Sequence, residues 1–140
     1  MKYLLFGGAQ SVGKSETIWR LGLFLCSTKH FKIVVGSIPA TFTDFKAILE
    51  GVDHSGKQVR IAINSGTDTP DIILSFKKFC DSSGIYDIII SSIRDHDFHP
   101  RSYFIKTMGI TSEDFVLEIP LAKITRKNGS RIIALTWYKG

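Results

Sequence analysis

Short apolar runs alternate along the chain with stretches that have helical spacing or helical start and stop residues. The apolar runs predict strands, which cover residues 2–6, 31–38, 45–52, 58–64, 86–92, 115–124 and 131–138. Helices are predicted at residues 14–28, between a capping residue at 69 and a glycine at 84, and near residues 101–108. Strands and helices in this order predict an α/β sheet flanked by helices.

Two pairs of the predicted strands carry the signature of antiparallel hairpins. The turn residues Asp53-His54-Ser55-Gly56 separate residues 45–52 from 58–64, and Lys127-Asn128-Gly129 separates the last two strands. Three successive isoleucines at residues 88–90 instead suit a central strand that is buried on both faces. We therefore expect a mixed or mostly parallel sheet that ends in a C-terminal hairpin at about residues 115–138.

The helices differ in how their apolar residues are distributed. Residues 14–28 have apolar side chains on nearly all sides, so we expect this helix to be largely buried. The helix after Thr69 carries its apolar residues on one face, and Pro70 suits the first helical position. Cys26 and Cys80 belong to no Cys-x-x-Cys pair, so both are predicted to be small buried apolar residues.

Size and composition are those of a globular protein. The chain has 140 residues, 44% of them apolar, which predicts a single domain over residues 1–140 with one core. No apolar run approaches the roughly 20 residues that span a bilayer. The first apolar run, Tyr3 to Phe6, is too short for the core of a signal peptide. We expect no membrane association and a cytoplasmic location.

The formal net charge of +5 lies entirely in the C-terminal segment. All 13 acidic residues fall at or before Glu118, and the excess comes from Lys123, Arg126, Lys127, Arg131 and Lys139. This segment has two interpretations. It contacts nucleic acid or an acidic protein, or its charges keep a solvated hairpin edge from aggregating, which the lack of a dense basic run favours.

One loop carries a pattern that is typical of phosphate binding. Residues 8–15 read G-x-x-x-x-G-K-S between a predicted strand and a predicted helix, and they comprise Gly8, Ala9, Gln10, Ser11, Val12, Gly13, Lys14 and Ser15. The pattern and its setting resemble those of the P-loop NTPase superfamily, and the resemblance covers residues 2 to about 30. It implies a bound nucleoside triphosphate with Mg²⁺. ATP is favoured, because the guanine-binding motif Asn-Lys-x-Asp is absent.

The chemistry explains why these residue types are needed. The two glycines let the backbone turn so that successive N–H groups converge on phosphate, next to the positive end of the helix dipole. Lys14 is expected to reach the β and γ phosphates, and Ser15 to offer its hydroxyl to Mg²⁺. Glu16, the next residue, is included in the predicted binding segment.

Phosphoryl transfer also requires a carboxylate that holds the metal's water shell. The strand at 58–64 ends in Asn64, where the P-loop pattern has Asp, and the next carboxylate is Asp68. The strand at 86–92 is followed by Asp95. Asp68 and Asp95 are both candidates, Asn64 is a weaker neutral one, and helix capping or loop solvation is the alternative for the aspartates.

The segment from 94 to 101 combines arginines with histidines. Arg94 and Arg101 are predicted to contact the charge of the transferred phosphate, at the carboxyl end of the sheet. His96 and His99 do not predict a metal site, since no Cys accompanies them and Pro100 follows at once. Lys14, Arg94 and Asp95 are therefore the candidate catalytic residues, and Ser15 and Asp68 the candidate metal ligands.

Three functions are compatible with these residues. The protein is a slow NTPase, a small kinase, or a nucleotide-binding regulatory module with little turnover. The Thr-rich segment at 40–44 before a hairpin is similar to the arrangement of small GTPases, whereas the later arginines are similar to those of small nucleotide or metabolite kinases. The missing metal carboxylate at residue 64 favours the regulatory module.

Overall fold

The computed structural model describes residues 1–9, 12–95, 99–125 and 131–135, with side chains as far as residue 121. Three helices are described, α1 (Lys14–Ser27), α2 (Pro70–Ser82) and α3 (His99–Met108). The described strands are β1 (Lys2–Gly8), β2 (Phe31–Gly36), β3 (Lys46–Val52), β4 (Gln58–Asn64), β5 (Ile88–Arg94), β6 (Phe115–Thr125) and β7 (Arg131–Leu135). The predicted α/β class is confirmed.

The strands form a mixed sheet in the order β2-β3-β4-β5-β1-β6-β7. The four central strands β4, β5, β1 and β6 run parallel to one another. The pairs β2/β3, β3/β4 and β6/β7 are antiparallel, which confirms both predicted hairpins, although the turn at 126–130 lies outside the described residues. Strands β1 and β4 are separated only by β5, so the loops that follow them lie near each other at the same edge of the sheet.

Two apolar cores cover the two faces of the sheet. On one face, α2 and α3 pack through Phe76 and Phe104 against sheet residues that include Leu5 and Ile89. On the other face, α1 packs through Ile18 against sheet residues that include Phe6 and Ile90. Neighbouring residues of one strand therefore pack into the two different cores, because successive side chains of a strand point to opposite faces of the sheet. The result is a sheet between two helical layers.

The expectation that α1 is largely buried is wrong. Its described buried residues are Lys14, Ile18 and Gly22, while Leu23 and Phe24 are exposed, Phe24 to 63%. The physical reason is that α1 covers its face of the sheet from outside, so only one stripe of the helix meets the core. Among the described residues, no helix has the length and apolar character needed to cross a bilayer.

The predicted helix signals of α2 and α3 have clear structural counterparts. The Thr69 hydroxyl accepts a hydrogen bond from the Ile72 N–H, and Pro70 occupies the first turn of α2. Helix α3 begins at His99, two residues earlier than predicted, and Pro100 lies in its first turn. Pro100 thus belongs to the helix rather than excluding one, because proline needs no N–H partner there.

Candidate functional site

Two glycines bound the segment between β1 and α1. Gly8 and Gly13 both have positive φ angles, of 146° and 97°, and Gly13 precedes the first residue of α1. A Cβ on Gly8 would also lie 2.8 Å from the carbonyl oxygen of Leu121, so a side chain has no room there. Val12 is buried in the core below the loop, whereas Gln10 and Ser11 lie outside the described residues. Gly8 therefore lies closely against β6.

Lys14 places a charged group inside this loop. Its side chain is only 5% exposed, and its Nζ donates a 2.8 Å hydrogen bond to the carbonyl oxygen of Gly8. The same Nζ lies 4.0 Å from Oδ1 of Asp68. Burial lowers the pKa of Lys14 below its ordinary value, Asp68 opposes this effect, and the positive charge of Arg94 adds to it. The ammonium group is thus poorly hydrated and attracts a negative partner.

Ser15 connects the loop to the segment that follows β4. Its hydroxyl donates a 2.8 Å hydrogen bond to the carbonyl oxygen of Ser65. The Ser65 hydroxyl in turn donates to Oδ1 of Asp44 at 3.0 Å and accepts the N–H of Phe45. Glu16 forms an exposed ion pair with Arg20 at 3.1 Å. Ser15 therefore joins the start of α1 to the segment after β4.

Buried neutral groups fix the segment after β4. The Asn64 amide donates to the carbonyl oxygen of Gly66 at 2.8 Å and to the Ser91 hydroxyl at 3.3 Å. The Thr67 hydroxyl lies 3.0 Å from the carbonyl oxygen of Ser92 and 2.9 Å from its hydroxyl. These contacts join the carboxyl ends of β4 and β5, and they hold the backbone that leads to Asp68. The amide nitrogen of Asn64 thus holds the segment after β4 in place, and its role as a neutral metal ligand stays a prediction.

Asp68, Arg94 and Asp95 come together beside Lys14. Arg94, which is 11% exposed, has one terminal nitrogen 3.8 Å from Oδ1 of Asp68 and its Nε 3.7 Å from Oδ1 of Asp95. The negative charges of both aspartates also raise the pKa of Lys14, against the effect of burial. Four residues predicted as site residues from three separate segments therefore form one cluster of two cations and two carboxylates.

Arg101 is engaged with Glu118 and with the end of β5, and its predicted contact with phosphate stays a prediction. Its guanidinium forms two hydrogen bonds with the Glu118 carboxylate, at 2.8 and 3.1 Å, and a third with the carbonyl oxygen of Arg94. A Cβ on Gly7 would lie 2.6 Å from Glu118 Oε2, so this ion pair crosses β1 over a glycine. Because both ends of the fork are engaged, Arg101 anchors α3 to β5 and β6. Sequence reasoning had no signal for Glu118, since its partner lies 17 residues away.

Several predicted features lie partly outside the described residues. His96 and Asp97 do so, while His99 lies on α3 with its ring centroid 5.8 Å from that of Tyr103. The side chains of the basic C-terminal residues are also outside the described part, although their strands pair as a hairpin. Of the two cysteines, Cys80 is buried as expected, but Cys26 is only half-buried because α1 lies at the surface.

The donors near the loop are suitable for Mg²⁺ only together with phosphate. Among the described residues, no group of three or more His, Cys, Asp or Glu side chains is able to hold a metal. Ser15 and Asp68 do offer hydroxyl and carboxylate oxygens, the ligands that Mg²⁺ prefers, and Mg²⁺ is commonly held by one or two protein oxygens plus substrate phosphates. The residues therefore fit a magnesium ion that arrives bound to a nucleotide.

A groove lies beside the segment after β4. It has a volume of about 330 Å³, and its lining includes Asp44, Lys46, Asn64 and Asp71. The Ser65 hydrogen bonds connect this groove to Ser15 and hence to the loop.

No known protein family, curated protein or solved structure matches this chain. The chemistry of its residues is therefore the basis for assigning a function.

Proposed function

We propose that the protein binds a nucleoside triphosphate, ATP, at Gly8 to Ser15, as a member of the P-loop NTPase class with a P-loop-like fold. The observation that carries the proposal is the buried ammonium of Lys14 at the N-terminus of α1, inside a glycine loop. A buried cation needs a strong negative partner, and α1 adds the positive end of its dipole at the same place. A triphosphate supplies that partner, and Lys14 then exchanges the Gly8 carbonyl for phosphate oxygens.

Each remaining site residue has a role in this proposal. The backbone of the loop holds the phosphates, the Ser15 hydroxyl and the Asp68 carboxylate hold a nucleotide-bound Mg²⁺, and Arg94 and Asp95 face the reacting end. Mg²⁺ supplies charge stabilisation of the phosphates when it is bound. Asp68 and Asp95 each lie within 4 Å of Arg94. We therefore expect each carboxylate to act on the metal through a water molecule. Hydrolysis or phosphoryl transfer is therefore slow, well below the roughly 1 to 100 s⁻¹ of typical kinases.

A nucleotide titration tests the proposal. ATP should bind the wild type in the presence of Mg²⁺, ATP should bind more tightly than GTP, and Lys14→Ala should weaken ATP binding by about 100-fold or more, because the main cation of the site is lost. Lys78→Ala is the matched control, since Lys78 is exposed on α2, and it should bind as the wild type does. Equal binding by wild type and Lys14→Ala would show that the loop does not hold the nucleotide.

A second function is a regulatory or interaction module that binds nucleotide without turning it over. The neutral hydrogen-bond network of Asn64, where the P-loop pattern has a carboxylate, favours this alternative. Its partner would be nucleic acid or an acidic protein bound by the basic C-terminus, with binding that falls steeply as salt rises. Phosphate release from ATP alone would identify an NTPase, release only with an added acceptor a kinase, and tight binding without release the module.

A further inference from the structure

The Asp68 carboxylate lies near both buried cations of the site. Oδ1 of Asp68 lies 4.0 Å from Lys14 Nζ and 3.8 Å from a terminal nitrogen of Arg94. The two cations are 5% and 11% exposed, whereas the Asp68 side chain is 39% exposed. Asp68 is therefore more hydrated than either cation, as is Asp95 with 40% of its side chain exposed, and its negative charge lies within about 4 Å of the two groups that would receive a phosphate.

The distances also indicate how firmly Asp68 is held. Both contacts are near 4 Å, longer than the roughly 2.7 to 2.9 Å of a hydrogen-bonded ion pair. For comparison, Arg101 and Glu118 approach to 2.8 Å. Lys14 makes its short hydrogen bond with the Gly8 carbonyl instead. Within the part of the chain that the structure describes, an incoming anion therefore displaces no short ion pair of Asp68, but it does enter the field of the Asp68 charge.

We infer that Asp68 makes the site selective for metal-bound over metal-free nucleotide. This inference rests on the proposed function and adds to it a rule of substrate choice. A metal-free triphosphate brings several negative charges close to Asp68, and like charges at about 4 Å repel one another strongly outside bulk water. A triphosphate that carries Mg²⁺ presents a positive charge to the same carboxylate, so repulsion becomes attraction.

Substitution of Asp68 separates these two effects. Asp68→Asn keeps the size of the side chain and removes its charge. In EDTA, this variant should bind metal-free ATP about tenfold more tightly than the wild type, because the repulsion is removed. With Mg²⁺ in excess, it should bind ATP equally or more weakly, because a metal ligand is lost. The ratio of the metal-free to the Mg²⁺-bound dissociation constant should therefore fall at least tenfold.

The controls use neighbouring and conservative substitutions. Asp71→Asn removes a charge three residues further along, in the first turn of α2, and should leave the ratio unchanged. Asp68→Glu keeps the charge and should keep the selectivity. Inorganic tripolyphosphate, measured in EDTA, should show the same tightening in Asp68→Asn, since the effect concerns phosphate charge and not the base. Thermal unfolding of each variant shows that the fold is intact.

The possible results distinguish the inference from the function on which it rests. If the wild type binds Mg²⁺-ATP and Asp68→Asn has the wild-type ratio, the inference is overturned and the proposed function stands. If the wild type binds neither form of ATP, both are overturned. A variant that binds metal-free ATP more weakly than the wild type would show that Asp68 helps to form the site, which also contradicts the inference.

Discussion

Burial of the Lys14 side chain opposes the stability of the fold. An ammonium that is 5% exposed has lost most of its water, and burial is the largest cause of its lowered pKa. Its contact with Asp68 at 4.0 Å is too long to compensate fully for that loss. The fold alone gives no reason for a charged residue at this position, and the proposed phosphate ligand would supply one.

Replacing Lys14 with Met should therefore stabilise the protein while it removes nucleotide binding. Met has a similar length and no charge to dehydrate, so the free energy of unfolding without nucleotide should rise by about 1 kcal/mol. Urea denaturation measures this change, and Lys78→Met on the exposed surface of α2 serves as the comparison. A loss of stability of more than about 1 kcal/mol would indicate that the lysine is a structural residue.

At the scale of the elements, α3 is fixed to the sheet by the ion pair of Arg101 and Glu118. The two carboxylate oxygens bind one guanidinium, which also binds the carbonyl oxygen of Arg94 at the end of β5. The pair is shielded, with 16% and 29% of the side chains exposed. The i,i+4 pair of Lys77 and Asp81 on α2 is equally short, at 2.9 Å, but more open to solvent.

The two ion pairs should differ in their energetic value. Arg101→Ala should lower the free energy of unfolding by about 1 to 3 kcal/mol, because Glu118 and the Arg94 carbonyl lose a charged donor. Lys77→Ala should cost no more than about 0.5 kcal/mol, as is typical of surface pairs. Double-mutant cycles with Glu118→Ala and Asp81→Ala give the two coupling energies. Similar couplings for both pairs would mean that Arg101 does not anchor α3.

The sequence predicted the helices and strands well, but it did not predict which strands lie next to each other in the sheet. Thr69, Pro70 and the isoleucines of β5 act locally, so their signals were sufficient to locate α2 and a central strand. The position of β5 between β1 and β4 depends on pairing between distant segments, for which no local signal exists. Whether another layer covers the outer side of α1 likewise depends on distant segments. The apolar residues of α1 therefore gave a wrong prediction of its burial.

At the scale of the whole molecule, the candidate site is formed where the loops after β1, β4 and β5 meet. The motif of residues 8–15 was predictable because one contiguous loop carries it. Asp68 and Asp95 could be named but not ranked, since their approach to Lys14 depends on the strand order. The Asn64 network and Glu118 were missed, because neutral hydrogen bonds and distant ion pairs leave no pattern in the sequence.

The core on the α2 and α3 face contains groups that resist ionisation. Cys80 is fully buried, and burial is the main reason that its thiol pKa rises from an ordinary 9.0 to about 11. Burial also raises the pKa of Tyr3, in the same core, to about 12. Between pH 9 and 11 the unfolded chain therefore releases the Cys80 proton while the folded chain retains it. Ionisation of this thiol therefore has no effect on stability below about pH 9, and the free energy of unfolding decreases as the pH rises from 9 towards 11.

This core should thus make the whole protein sensitive to alkaline pH through Cys80. The free energy of unfolding should fall by at most about 1.4 kcal/mol per pH unit from this thiol above pH 9. Cys80→Ala lowers stability at every pH by leaving a cavity, so the comparison is one of slopes, from urea denaturation at pH 8, 9 and 10. The slope of Cys80→Ala above pH 9 should be shallower than that of the wild type.

Cys26→Ala, on the half-buried surface of α1, should change the slope less. Equal slopes for wild type and Cys80→Ala would show that the thiol ionises as readily in the folded protein as in the unfolded chain.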